Sequence, residues 1–409
     1  MTKKSFILAC VCALAFGLVA CNKNPQPVAL NDSVPTGSIA LFMETNNGSS
    51  ATKMAGDATV IALESNIGSL QVFVFYGAND PALGQVEGYK ETDKFFTYTG
   101  SAVERSEIIT TTIGAKRIYV VANAPRILNA NTEDDLKSRV IGLGSNAFVT
   151  DKGMVMVGAS GYTSTDTGIN VTASNVTVNP YSTQAGEASL TTIPIKLNRL
   201  AARIELQNVK VDFRGTDLEG KEMIIKDIYL KNVPNAVHVT GQNADLLGTE
   251  TNWSNRIRPD AGLAADIKAL IFSSLNKADV SEVGADTPIN QFFYCYPNNV
   301  TNDVTSDYWA SRRTRLVLST MIGDQPSFYP FSIAAPENFV PSGSTEPATN
   351  TNPSHITIVG NHKYVINRIT ITSMGKPNDD NDAILVSGKA SINMSVQDWN
   401  GTTILNYDI

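Results

Sequence analysis

From residue 38 to the last residue, apolar side chains recur with a period of two in short runs bounded by Gly, Asn, Ser and Pro. More than any other feature, this alternation limits the chain to β structure. Successive side chains of a strand point to opposite faces, so a run that is apolar on both sides belongs in the middle of a packed sheet. Ser69–Tyr76 is of that kind, with Leu70, Val72 and Val74 alternating with Gln71, Phe73 and Phe75. Residues 38–45 set Ile39, Leu41 and Met43 against Ala40, Phe42 and Glu44, a strand expected to bury in a sandwich. Further strands are expected at 95–98, 108–113, 116–123, 154–159, 170–178, 204–211, 224–233, 292–296, 314–321, 328–333, 363–372, 390–396 and 402–409. One short helix is expected over 131–141, with Asn131 or Thr132 as N-cap and acidic residues in its first turn. Four irregular stretches, 241–263, 275–289, 298–312 and 335–354, are expected as long loops.

A chain of 409 residues exceeds a single sandwich. The expected organisation is all-β with two sandwich domains, 54–194 and 195–383, and a C-terminal strand appendage at 384–409. The basic cluster Lys196, Arg199 and Arg203 falls between the two. On period-two spacing with Ile204 and Leu206 it is expected on the solvated face or at the domain junction, not as a binding patch.

The N-terminus is built for export. Lys3 and Lys4 precede an apolar run, 6–20, too short for a permanent membrane span. The run closes on Leu18-Val19-Ala20-Cys21, which is similar to the bacterial lipobox, so residues 1–20 read as a signal peptide and Cys21 as the lipidated residue, holding the precursor to the outer membrane. Of the four cysteines, Cys10 and Cys12 leave with the signal and Cys21 carries lipid. Cys295 remains, in an aromatic run where burial as a small hydrophobe is expected, and stability rests on core packing.

Residues 46–51 contain only Asn, Gly, Ser and Ala, a composition that buries little, and Lys53 follows, before Met54 and a small-residue turn. A strand followed by such a tether can be cut away after Lys53, leaving Met54 as the new N-terminus. Removing residues 1–53 takes away four lysines and two acids, leaving 28 basic and 37 acidic residues and a balance of −9. That surface argues against nucleic acid as a partner. At the other end, 402–409 is an alternating strand, and an uncovered β-prone strand aggregates through its edge unless a partner takes it up.

The residue patterns of catalysis are missing. His238, His355 and His362 are scattered without metal-ligand spacing, and no nucleophile elbow, phosphate loop or H-E-x-x-H occurs. Asp379-Asp380-Asn381-Asp382 lacks the spaced ligands of a calcium loop and reads as a solvated turn. No enzyme and no cofactor is expected.

In order and spacing, the segments SLQVFVFYG (69–77), KRIYVVANA (116–124), IPIKLNRLAARIEL (193–206), NHKYVINRITIT (361–372) and SINMSVQDW (391–399), with the lipobox, make the chain resemble the FimA (fimbrillin) major subunits of type V pili in Bacteroidetes. The resemblance implies two transthyretin-like β-sandwich domains and surface export of a lipoprotein. It further implies removal of the first strand, within the propeptide 21–53, by a trypsin-like surface protease. Polymerisation with other copies and other fimbrial subunits then follows, as a donor strand enters the opened groove. Known members are cut after an arginine; this chain has none before Arg105, so the role passes to Lys53. Within 402–409, Leu405, Tyr407 and Ile409 share the more apolar face and are the expected donor residues. Alternatives are a tip adhesin, an anchor subunit, or a surface glycan-binding lipoprotein; Trp253, Trp309 and Trp399 are too dispersed to favour the last.

Overall fold

The computed structural model describes residues 35–43, 64, 66–78, 86–98, 105–143, 153–160, 169–173, 176–181, 193–239, 256–257, 265–277, 285–299, 314–333, 357–379, 390–398 and 403–408. They form two β-sandwiches that follow one another along the chain. In the first, one sheet runs, in spatial order, β10 (Ile193–Lys196), β9 (Val176–Tyr181), β1 (Thr36–Met43) and β4 (Arg105–Thr112). The other runs β11 (Asn198–Arg199), β7 (Met156–Ser160), β5 (Gly114–Ala122), β2 (Ser69–Tyr76) and β3 (Lys90–Thr97), with β8 (Ile169–Val171) pairing the start of β5.

The second sandwich has a sheet ordered β18 (Asp286–Cys295), β12 (Ala202–Val211), β23 (His362–Ile371), β24 (Ala390–Asp398) and β25 (Thr403–Asp408). Its partner sheet is ordered β17 (Phe272–Lys277), β13 (Met223–Lys231), β20 (Arg315–Ile322) and β21 (Gln325–Ser332). Three short pairs complete the set: β6 (Val140–Gly142) with β15 (Ala236–His238), β14 (Val233–Pro234) with β16 (Arg256–Ile257), and β19 (Asn298–Asn299) with β22 (Thr357–Ile358). Two helices, α1 (Glu133–Lys137) and α2 (Ala265–Ile271), interrupt the strands.

The pattern of β2 explains its place. Leu70, Val72 and Val74 bury against β1 inside the first sandwich, while Phe73 and Phe75 join a second cluster that continues through Leu136 of α1 and Ile141 into the second sandwich. Every residue of β2 is buried because apolar layers cover both its faces. Gln71, the polar member, is satisfied by the segment that covers it: its Nε2 donates to the Ile127 carbonyl at 2.8 Å and its Oε1 accepts from the Ile127 N–H at 2.7 Å.

α1 starts as its sequence requires. Thr132 is the N-cap of a capping box, its hydroxyl accepting from Asp135 N–H at 3.0 Å while the Asp135 carboxylate accepts from Thr132 N–H at 3.0 Å. The helix is shorter than the expected 131–141, because Val140–Gly142 leaves it to pair with β15 from the second half. The segment 170–178, expected as one strand, is two, β8 and β9, in different sheets. The stretch 275–289, expected as a loop, is strand at both its described ends, since β17 runs to Lys277 and β18 begins at Asp286. Cys295 is fully buried, and burial pushes its thiol well above the usual range, consistent with a core residue.

The change from one sandwich to the next falls at Leu200–Ala201, between β11 and β12. Asn361, at φ 58, sits on this junction: its N–H donates to the Ala201 carbonyl at 2.8 Å and its Oδ1 accepts from Arg199 N–H at 3.1 Å. Arg199 and Arg203 are each 2% exposed here, so of the two placements expected for the basic cluster the junction is where both lie.

Candidate functional site

The two chain ends that carry the sequence argument occupy definite places in the sheets. β1 is an interior strand. It pairs antiparallel with β4 over its whole length, from Thr36 opposite Thr112 to Met43 opposite Arg105, and parallel with β9 at Ile39, Ala40 and Leu41. Ile39 and Leu41 are fully buried, packed with Leu70, Val72, Ile109, Ile118 and Val178. Seating them is worth about 2 kcal/mol each, and each ladder hydrogen bond adds about 1 kcal/mol net. Gly37 lets the strand enter: a Cβ there would lie 2.3 Å from the Thr172 carbonyl oxygen, so no side chain fits without displacing the backbone beside it.

The first strand of the second sandwich, β12, has the same neighbours, an antiparallel strand (β18) on one side and a parallel strand (β23) on the other. The two differ in how they join the body. β12 is tied at both ends, to β11 before it and to the domain after it, whereas β1 reaches the body through residues 44–68. Among the described residues of that segment, Glu64 is the first anchor. Its carboxylate pairs with Arg203 Nη1 at 2.6 Å and accepts from the Tyr294 hydroxyl, and its carbonyl accepts from Arg199 Nε at 2.9 Å. All three partners are at least 97% buried. Burial pulls the Arg199 guanidinium down to about 10, with the Glu64 charge and then Tyr294 opposing the fall.

The second anchor is Asn123, in the left-handed region at φ 59. Its side chain accepts from Gly68 N–H at 2.8 Å and Ser69 N–H at 3.2 Å, and donates to the Asn66 and Met154 carbonyls at 2.7 and 2.8 Å. These contacts fasten the chain at Asn66–Ser69, and none of them involves β1.

The sequence-predicted residues divide as follows. Cys21, Lys53, Met54 and Ile409 lie outside the described residues, as do the signal run, residues 46–51, Trp253, Trp309, Trp399, His355 and residues 380–382. Asp379 is described, and it is structural: it accepts from Lys231 Nζ and from the Tyr229 hydroxyl, each at 2.7 Å. Leu405 and Tyr407 lie on β25, whose backbone pairs with β24 of the same chain, Leu405 opposite Val396 and Tyr407 opposite Met394. β25 is thus the edge strand of its own sheet, with one side paired and the other side of its ladder unoccupied by the described residues. Among the described residues no group of three His, Cys, Asp or Glu could hold a metal, and no helix is long and apolar enough to cross a membrane.

Glu64, Glu91 and Lys116 escaped the sequence reading. Glu64 had a legible signal, the one acid after the apolar run 60–63; Lys116, at the head of an apolar strand, had only its anomalous charge. Glu91 on β3 accepts from the Thr111 hydroxyl at 2.6 Å and from Thr112 N–H at 2.5 Å, both on β4. Lys116 on β5, fully buried, pairs with Glu91 at 2.9 Å and donates to the Thr112 hydroxyl at 2.8 Å.

Residues 36–199, from the first residue of β1 to the last of β11, match the family model described as major fimbrial subunit protein (FimA). A curated relative from Parabacteroides distasonis, named as a candidate fimbrium tip subunit, Fim1C, is 28% identical over 267 residues. That match covers 62% of this chain and 60% of the relative, so the chain spans about 60% of the length of the curated relative it matches. Among solved structures, a fimbrilin (FimA) from Porphyromonas gingivalis W83 superposes with a TM-score of 0.53 at 15% identity, covering 89% of this chain and 98% of that one. A candidate cell adhesion protein from Parabacteroides distasonis superposes with a TM-score of 0.54 at 15% identity, covering 90% of this chain and all of the other. These two likenesses are of fold.

Proposed function

We propose, from the match of residues 36–199 to the major fimbrial subunit (FimA) family, that the chain is the stalk subunit of a surface fimbrium, made as a lipoprotein precursor and activated by removal of its first strand. The work of such a subunit is assembly and adhesion, not catalysis. The observation that carries the reading is the position of β1: an interior strand, buried at Ile39 and Leu41, followed along the chain by a segment that Glu64 and Asn123 fasten through contacts outside β1. Cleavage after Lys53 frees that strand. Its departure opens a slot between β4 and β9 with an apolar floor and unpaired backbone groups on both sides.

β25 of another copy fills the slot. To do so it leaves β24, exchanging one ladder for another, and it brings Leu405, Tyr407 and Ile409. Because the lost and gained pairings are alike, the gain comes from covering the apolar floor. In the uncut precursor both strands are in place, and the subunit stays single. Lipid on Cys21 holds the precursor to the outer membrane, and the cut releases it from that anchor into the filament.

The test has two parts. N-terminal sequencing of protein taken from the cell surface is expected to return Met54, and Lys53→Ala to give a folded, membrane-held monomer without ladders on non-boiled gels; lipidated Cys21 within polymer would overturn the scheme. Cysteine at Leu405 paired with cysteine on β4 is then expected to crosslink between molecules. The tip position is the second reading, favoured by the name of the Parabacteroides relative; it predicts that β25 stays on its own β24 and that crosslinks to β4 do not form.

A further inference from the structure

In the spatial order β10-β9-β1-β4, β1 is the only sheet neighbour of β4 among the described residues. Without β1, one wall of the slot would be a strand with no ladder at all. Its hold on the body then rests on the buried Ile109, on the turn into β5, and on the polar contacts at its C-terminal end. Those contacts are concentrated. Both oxygens of Glu91 are used on β4, one by the Thr111 hydroxyl at 2.6 Å and the other by Thr112 N–H at 2.5 Å. Lys116 locks the arrangement from β5, 2.9 Å from Glu91 and 2.8 Å from the Thr112 hydroxyl, with its ammonium 4.5 Å from the centre of the Tyr76 ring.

None of these atoms belongs to β1. Lys116 is 0% exposed, Thr111 3% and Thr112 2%, so water competes little for the bonds. The clasp ties the edge of one sheet to β3 and β5 of the other, across the sandwich, whether or not the strand between β4 and β9 is present.

We infer that Glu91 and Lys116 are positioning residues for strand uptake: they hold β4 as a standing wall while the slot is empty, so that an incoming strand meets a formed groove. The inference rests on the strand-exchange reading, but its physics concerns any strand that enters the slot, including the chain's own. A slot that is formed only part of the time binds more slowly in proportion to that fraction, so the effect falls on association, whereas a clasp that merely stabilised the fold would act on dissociation and melting.

The experiment uses the full chain with a specific protease site placed within residues 46–53. After cutting, the first strand is exchanged under mild denaturant for a labelled peptide of residues 36–43, and association and dissociation are followed separately. Glu91→Gln and Lys116→Met are expected to slow association by about tenfold or more, with dissociation within about twofold of the parent and the uncut variants still folded. If Glu91→Gln fails to fold, Thr111→Val, which removes one hydroxyl, reports the same effect at smaller size. Unchanged association in all three variants overturns the inference, as does a change confined to dissociation. A parallel run with a peptide of residues 400–409 separates the two claims. If the parent takes up 36–43 and refuses 400–409, strand exchange falls and the clasp stands; if the variants take up both as fast as the parent, the clasp falls and strand exchange stands.

Discussion

Leu41→Asp is expected to expel the first strand from the uncut chain and make association independent of cleavage. Leu41 is fully buried in an apolar cluster, and its cross-strand neighbours, Glu107 of β4 and Val178 of β9, offer a new carboxylate no hydrogen-bond donor. The substitution forfeits about 2 kcal/mol of apolar transfer and adds several kcal/mol for a carboxyl group without a partner, whether it ionises or takes up a proton. Together these cancel the apolar contribution of Ile39 and Leu41 and weigh against the ladder hydrogen bonds that remain. The body remains fastened through Glu64 and Asn123, so the penalty is relieved by letting β1 go, not by unfolding. In a Lys53→Ala background, which on the proposed scheme is not cut, the added Leu41→Asp should give ladders on non-boiled gels and shift the protein from monomer to oligomer on size exclusion. A chain that stays monomeric with β1 protected from proteolysis, or one that loses its cooperative melt altogether, would show that the strand is not separable.

Glu64→Ala carries the second large effect, at the junction of the sandwiches. The Glu64 side chain is 2% exposed and is the carboxylate shared by Arg203 and Tyr294, with the charge of Arg199 alongside. Arg203 has further partners, an ion pair to Glu205 at 2.8 Å and the face of Phe292 at 4.5 Å from the ring centre, which keep its guanidinium in place when Glu64 is lost. The buried positive charge then stays with less compensation, a situation that costs about 3–5 kcal/mol. For a domain of this size that corresponds to a fall in melting temperature on the order of 10 °C. Glu64→Gln keeps an acceptor for Tyr294 and should fall between parent and Glu64→Ala. Because Glu64 is also the first anchor after the tether, Glu64→Ala should increase proteolysis of residues 54–65 in the cut protein. A melting temperature within 2 °C of the parent would mean the cluster contributes no net stability.

Most of the strand inventory was legible in the chain, because burial on a sheet face imposes a period of two that no other structure shares. Ser69–Tyr76 was bounded to the residue, and its interior position followed from having no polar face. The cap of α1 was readable to within one residue, Asn131 or Thr132, since capping needs only an oxygen at one position and an amide three residues on; the structure places it at Thr132. Its length was not, because Val140–Gly142 pairs with a strand nearly a hundred residues later, and no local preference encodes that partner. α2 and β17 were missed for a related reason: seven and six residues are too few for a periodicity to separate from loop composition.

What the sequence determined by itself was the class of fold, the burial of Cys295, and the first and last strands with their alternating faces. Each is a property of consecutive residues, so composition and spacing suffice to see it. Only the tertiary structure decided that β1 lies between two other strands and not at an edge, that β25 rests on its own β24, and that Glu64 and the pair Glu91 and Lys116 hold the body and one wall of the slot. These depend on strand order and on charges brought together from segments 25 to 139 residues apart. The physical reason is that a buried ion pair is defined by the desolvated space around it, which a linear chain acquires only when the sheets have closed over it.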